Sequence, residues 1–160
     1  MKLFSMFFLF FLFLSCKDKE VKKELLKISI SVNLLEDDNI KLYYILDEKG
    51  TYNERNSIEV EVKGSLDVQS VEFVLKQMPY KFRIDLGDNR NKSEVHFSAI
   101  NISFKNKIIT INENTIHRFF NPNIYVSLSA NGYLRKEVDN RYDPFIESTA
   151  LLQKKMQIEF

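Results

Sequence analysis

One cysteine, four glycines, two histidines and no tryptophan occur in the 160 residues of this chain. A lone thiol closes no disulfide within the chain, so the fold has to be held by its apolar core. A chain of this size buries about 68–70% of its surface on folding, enough for one domain. Four glycines leave little material for a backbone cradle around phosphate. The absent tryptophan removes the strongest ring for stacking on a sugar. Charge of one sign is lacking too: 23 basic residues face 22 acidic ones, and removal of residues 1–15 would take away only Lys2, leaving 22 of each. That balance offers no basic excess for nucleic acid or for drawing the whole domain onto anionic lipid.

What is present begins with the single cysteine. Lys2 precedes an apolar run from Leu3 to Leu14 that only Ser5 interrupts. The run falls short of the roughly 20 residues a bilayer span needs and has the length of a secretory leader. Ser15 then stands directly before Cys16. These residues resemble a bacterial lipoprotein signal peptide, in which a small residue precedes the cysteine that becomes the new N-terminus. The resemblance implies cleavage after residue 15, diacylglycerol on the Cys16 sulfur and a palmitate-type acyl chain on its nitrogen. Two or more chains give stable membrane attachment where one holds marginally. An uncleaved anchor, or a cysteine left idle after ordinary cleavage, is the plainer alternative.

Lys17 to Glu24 reads KDKEVKKE, a solvated tether with nothing to bury. Fully extended, it reaches no more than about 25 Å. The charges just after Cys16 resemble the tract that follows the lipidated cysteine of surface-displayed Gram-negative lipoproteins.

From residue 25 onward the hydrophobic period becomes two. Ile28, Ile30, Val32 and Leu34 alternate with polar residues, as do Ile58, Val60 and Val62. The pattern returns at Val71–Leu75, Phe82–Leu86, Ile100–Phe104 and Ile124–Leu128, each predicting a strand with one buried face. Lys105 to Lys107 and the pair Asn131 and Gly132 predict tight turns, and Asp85 to Asn91 a longer polar loop. Only Asn112–Phe120 looks helical, with Asn114 as the expected N-cap and Pro122 beyond the end. Many short alternating strands predict an all-β fold, an antiparallel β-sandwich with one short helix near 113–120, occupying residues 25–160.

The succession VEVKGSLDVQSVEFVL, FRIDLGDNRN and INISFKNK, within Ile58 to Lys107, resembles a β-sandwich module that accompanies bacterial cell-surface polysaccharide glycosyltransferases and also occurs in small lipoproteins. The resemblance implies a jelly-roll-like fold and a glycan-rich setting, and it brings no catalytic site.

Candidate site residues are few. Arg83 and Asp85 share the polar face of a strand and could clasp sugar hydroxyls, or form an ordinary ion pair on a solvated or loop-covered face. Tyr44 and Tyr125 are candidate stacking rings among Tyr43, Tyr44, Tyr125, Tyr133 and Tyr142. Because Tyr43 and Tyr44 are adjacent on a strand, one of them points away from the core. Asp85, Asp88 and Asn89 could offer oxygen to Ca²⁺, but three ligands on one loop are too few and the residues suit a turn. The trio Glu36, Asp37 and Asp38 is read the same way. His96 and His117 stand alone in sequence, and no nucleophile elbow or metal-binding helix motif accompanies them.

These readings predict a non-catalytic, lipid-anchored protein of the outer membrane, on its periplasmic face or the cell surface, binding carbohydrate or a partner protein without a cofactor. A structural or assembly lipoprotein and a small hydrolase are the alternatives. An apolar patch or open edge strand would favour the first, and a histidine beside a carboxylate in a cleft the second.

Overall fold

The computed structural model describes residues 24–90, 94–129 and 132–160. Cys16, the leader, most of the tether and Asn131 lie outside the described residues. Two antiparallel sheets pack face to face, the sandwich that the alternation predicts.

The first sheet is built on β1 (Leu26–Leu34), whose residues alternate strictly between core and surface. It lies between β4 (Gln69–Leu75) and the long β6 (Glu94–Phe104). The second half of β6 pairs with β7 (Lys107–Asn112), and its first two residues pair with β10 (Tyr133–Arg135), which carries β9 (Val126–Leu128). A bulge between Ser31 and Val32 shifts the register of β1 against β6. In the second sheet, β2 (Asp38–Ile45) lies between β3 (Ser57–Val62) and β5 (Lys81–Asp85). Beyond β5 come β11 (Phe145–Ser148) and β8 (Phe120–Pro122).

The inward faces meet in one core of Ile, Leu, Val and Phe that draws on both sheets. Phe82 and Phe120 pack edge to face with centroids 5.7 Å apart, and Phe97 and Tyr133 stand at the same separation. Each fully buried side chain of this kind contributes about 1.5–3 kcal/mol, so the core holds the described residues together without a crosslink.

Two helices cover one side, joining β7 to β8 and following β11. The helix α1 (Glu113–Phe119) occupies the predicted place, but Asn112 rather than Asn114 is at its N-cap. The helix α2 (Ala150–Glu159) is an element that hydrophobic period did not predict. Its cap was readable, since Thr149 accepts a bond from the Leu152 amide. Leu152 and Met156 turn into the core.

Some strand expectations need correction. Of Ile124, Val126 and Leu128 only Val126 is buried, because Ile124 sits in a turn and β9 lies at the rim of its sheet. The turn at Lys105 and Asn106 is as predicted, with Phe104 paired to Lys107 and Lys105 at φ 56°. Leu128 pairs with Tyr133, so the predicted hairpin around Gly132 spans residues 129–132.

Candidate functional site

The register of the second sheet decides which side chains share its outer face. On β5, Arg83 and Asp85 point outward while Phe82 and Ile84 point into the core. Tyr43 is opposite Arg83 and Lys41 is opposite Asp85 across the β2–β5 pair; on the other flank Phe145 is opposite Asp85 and Glu147 is opposite Arg83. The two residues singled out from sequence therefore stand at the centre of the sheet.

They bind each other. Arg83 donates from one terminal nitrogen to Asp85 Oδ2 at 3.0 Å. Its Nε and Asp85 Oδ1 lie 2.9 Å apart but off the hydrogen-bond direction, and neither has another hydrogen-bond partner among the described residues. The guanidinium is packed among three rings, with its carbon 4.7 Å from the centroid of Tyr43, 5.4 Å from Tyr52 and 4.4 Å from Phe145. Such cation–π contacts contribute about 0.5–2 kcal/mol each, more as water is excluded.

The segment between β2 and β3 folds across this face. Tyr52 donates to Glu147 Oε1 at 3.1 Å. Glu54 accepts from Lys41 Nζ at 2.7 Å and from the Tyr43 hydroxyl. Arg83 and Asp85 consequently keep 17% and 19% of their side-chain surface, a half-covered pair at the floor of a depression. Burial, reinforced by the nearby Asp143 charge and opposed by Arg83, pushes the Asp85 carboxyl up to about 7. Burial beside Glu147 likewise pushes the Tyr52 phenol up.

The depression is a polar groove of about 310 Å³. Lys41, Arg83 and Asn39 supply donors to its walls, and Glu59, Asp88 and Asp143 supply acceptors.

The tyrosines depart from expectation. Tyr43, not Tyr44, reaches the groove, whereas Tyr44 is opposite Phe82 and packs against the core. One residue of register decides this, since neighbours on a strand face opposite ways. Lys41 Nζ lies 4.9 Å from the Tyr43 centroid, so that ring already serves two cations of the chain. Tyr125 is half-buried in the turn before β9 and does not line the groove.

The proposed Ca²⁺ ligands do not converge on one point, and Asp85 and the Asn89 side chain are engaged by other groups of the chain. Asp85 is held by Arg83, and the backbone amides of Asp88 and Asn89 donate to the Asp38 carboxylate at 2.9 and 3.2 Å. Asp37 takes Lys63 and the Gly64 amide, both at 2.8 Å, and Glu36 takes the Asn89 side-chain amide at 3.0 Å. Among the described residues no group of three or more His, Cys, Asp or Glu side chains is placed to hold a metal ion.

Asp38 is the first residue of β2 rather than part of the turn the sequence suggests. Its side chain is buried, and Arg135 of the opposite sheet donates to it while also donating to the Leu86 carbonyl at 2.7 Å. Gly87 has φ 97° and approaches so closely that a Cβ there would lie 2.3 Å from the Asp38 carboxylate, which only glycine permits.

A second depression, of about 230 Å³, lies between β6, α1 and the β9–β10 hairpin. There His96 Nε2 and Glu113 Oε1 are 2.9 Å apart, with His117 and Tyr133 also on the walls. Burial pushes the Tyr133 phenol up to about 12. The rest of β6, a turn and β7 separate His96 from Glu113 along the chain, so local spacing does not pair them.

These features define an all-β sandwich with a polar groove on one outer face. No family model, curated protein or solved structure matches the chain.

Proposed function

We propose that this chain is a non-catalytic envelope lipoprotein, held on the outer membrane by lipid on Cys16, that binds carbohydrate through the groove over Arg83 and Asp85. The observation that carries the reading is this pair at the floor of a groove whose walls carry both donors and acceptors. Neighbouring hydroxyls of a sugar ring need donors and acceptors side by side, and groups fixed by packing lose little entropy on binding. Recognition rests on hydrogen bonds rather than ring stacking, because the Tyr43 ring is already taken. A polar surface of a partner protein is the alternative ligand.

Arg83 is a poor probe of binding, since its loss would strip a half-buried carboxylate of its partner. Glu59 and Asp143 are more exposed. A glycan array probed with the chain from Lys17 onward should retain the wild type, and the double variant Glu59→Gln, Asp143→Asn should lose at least about tenfold in affinity, the equivalent of one or two hydrogen bonds. Equal retention of the two proteins would remove the groove from the account. Mass spectrometry of membrane-extracted protein should find Cys16 acylated, and a free thiol there would end the anchoring proposal.

A small hydrolase is a second reading, favoured by the His96–Glu113 pair in its cleft. A histidine oriented by a carboxylate is the arrangement of a general base. Ester or glycoside hydrolysis that His96→Ala abolishes would establish it, whereas a rate unaffected by that change would leave the pair as a tie between β6 and α1.

A further inference from the structure

The outward side of α2 carries a second apolar stripe. Leu152 and Met156 face the core, whereas Leu151 and Ile158 are 47% and 69% exposed. Residues 151, 154, 155 and 158 follow the three-and-four spacing of one helix face, so Lys154 and Lys155 stand between the two apolar side chains. Arg118 and Phe119 of α1 form the opposite wall of a groove of about 420 Å³. Glu159 is the acidic residue on its lining, and Lys155 pairs with it at 3.5 Å.

The position of this groove matters as much as its chemistry. Phe160, directly after α2, packs edge to face on Phe104 with centroids 6.0 Å apart. Lys107 donates to the Glu159 carbonyl. Lys105, in the same β6–β7 turn, pairs with Glu24 at 3.7 Å. Glu24 is where the described chain begins, so the short stretch from Cys16 joins the domain at the end that bears the C-terminus of α2.

We infer that this end of the domain lies on the membrane, with Leu151 and Ile158 at the acyl boundary and Arg118, Lys154 and Lys155 among anionic headgroups. The inference rests on the anchoring reading above. Each basic residue near an anionic leaflet contributes about 1 kcal/mol, and exposed aliphatic side chains flanked by cations suit the interface. Formal neutrality of the chain beyond the leader does not oppose this, because the groove lining carries Arg118, Lys154 and Lys155 against Glu159 alone, and several of the balancing carboxylates lie around the Arg83 groove. A tether no longer than about 25 Å keeps the patch at high effective concentration over the bilayer, so weak affinity suffices. The Arg83 groove, on the outer face of the second sheet, is not part of the patch.

The test uses the chain from Lys17 onward, without lipid. Every described strand, both described helices and the core lie within residues 24–160, so this form keeps the described fold. It should sediment with phosphatidylcholine vesicles containing phosphatidylglycerol, bind at least about tenfold less to phosphatidylcholine alone, and release in high salt. The variant Lys154→Glu, Ile158→Gln should lose the binding while its circular dichroism stays unchanged. Equal sedimentation with both vesicle types, or full binding by the variant, would overturn the inference. Concentration-dependent dimerisation that the same variant abolishes would also overturn it, by assigning the patch to a second copy. Because no acyl chain is present, vesicle binding can fail while Cys16 is found lipidated, and the reverse outcome is equally visible.

Discussion

Two arginine–aspartate pairs sit in the same sandwich and do different work. Arg135 and Asp38 join the two sheets, with 1% and 3% of their side-chain surface left to solvent. Arg83 and Asp85 lie two residues apart on one strand and keep 17% and 19%. The inner pair is completed by backbone: the Leu86 carbonyl accepts from Arg135, and the amides of Asn39, Asp88 and Asn89 donate to Asp38. The outer pair is completed by rings and by a loop that water still reaches. Identical charges therefore give an inter-sheet lock in one place and the floor of an open polar groove in the other. The environment, not the residue types, separates the roles.

The sharpest way to break the comparison is to remove one partner from each pair. Asp38→Ala should cost about 3–5 kcal/mol in urea unfolding, because Arg135 would stay buried without its counter-charge. Arg83→Ala should cost about 2–3 kcal/mol, through three ring contacts at the solvent-reached end of their range and a weakened pair. Similar losses would mean that burial does not distinguish the two sites. A different kind of effect concerns acidity. Folding raises Asp85 from the unfolded value of about 3.9 to about 7, so across that interval the native state keeps a proton that the unfolded chain has released. Stability should therefore fall as pH rises from about 4 to about 7, and Asp85→Asn should flatten that slope. A slope unchanged in the variant would assign it to another group. Least of all should be Lys63→Ala, which removes an exposed pair with Asp37 and should leave the unfolding midpoint where it was.

Much of the fold was legible because strand alternation is local. Ile28, Ile30, Val32 and Leu34 announce β1, and Phe82, Ile84 and Leu86 announce β5, with no knowledge of their neighbours. The same period placed Arg83 and Asp85 together on the polar face. The choice between Tyr43 and Tyr44 was harder, because β2 breaks its alternation: Leu42, Tyr43 and Ile45 are all buried, although Tyr43 and Ile45 stand in register with Arg83 and Lys81 on the outer face. The helix α2 escaped because its apolar residues serve two opposite sides, which blurs a 3.6-residue period. Covering of Arg83 by Tyr52 and Glu54 depends on the path of a connection, and composition carries no trace of that path.

From its residues alone this chain determined an antiparallel β-sandwich, a polar pair on one strand, a helix near 113–120 and turns at Lys105 and Gly132. Each follows from side chains within a few positions of one another, where backbone geometry dictates the pattern. Only the tertiary structure decided that Asp38 is an inter-sheet anchor, that Tyr43 rather than Tyr44 joins Arg83, and that His96 meets Glu113. Arg135 is 97 residues from Asp38. Such partners are chosen by register and by the way two sheets stack, which depend on the whole core at once.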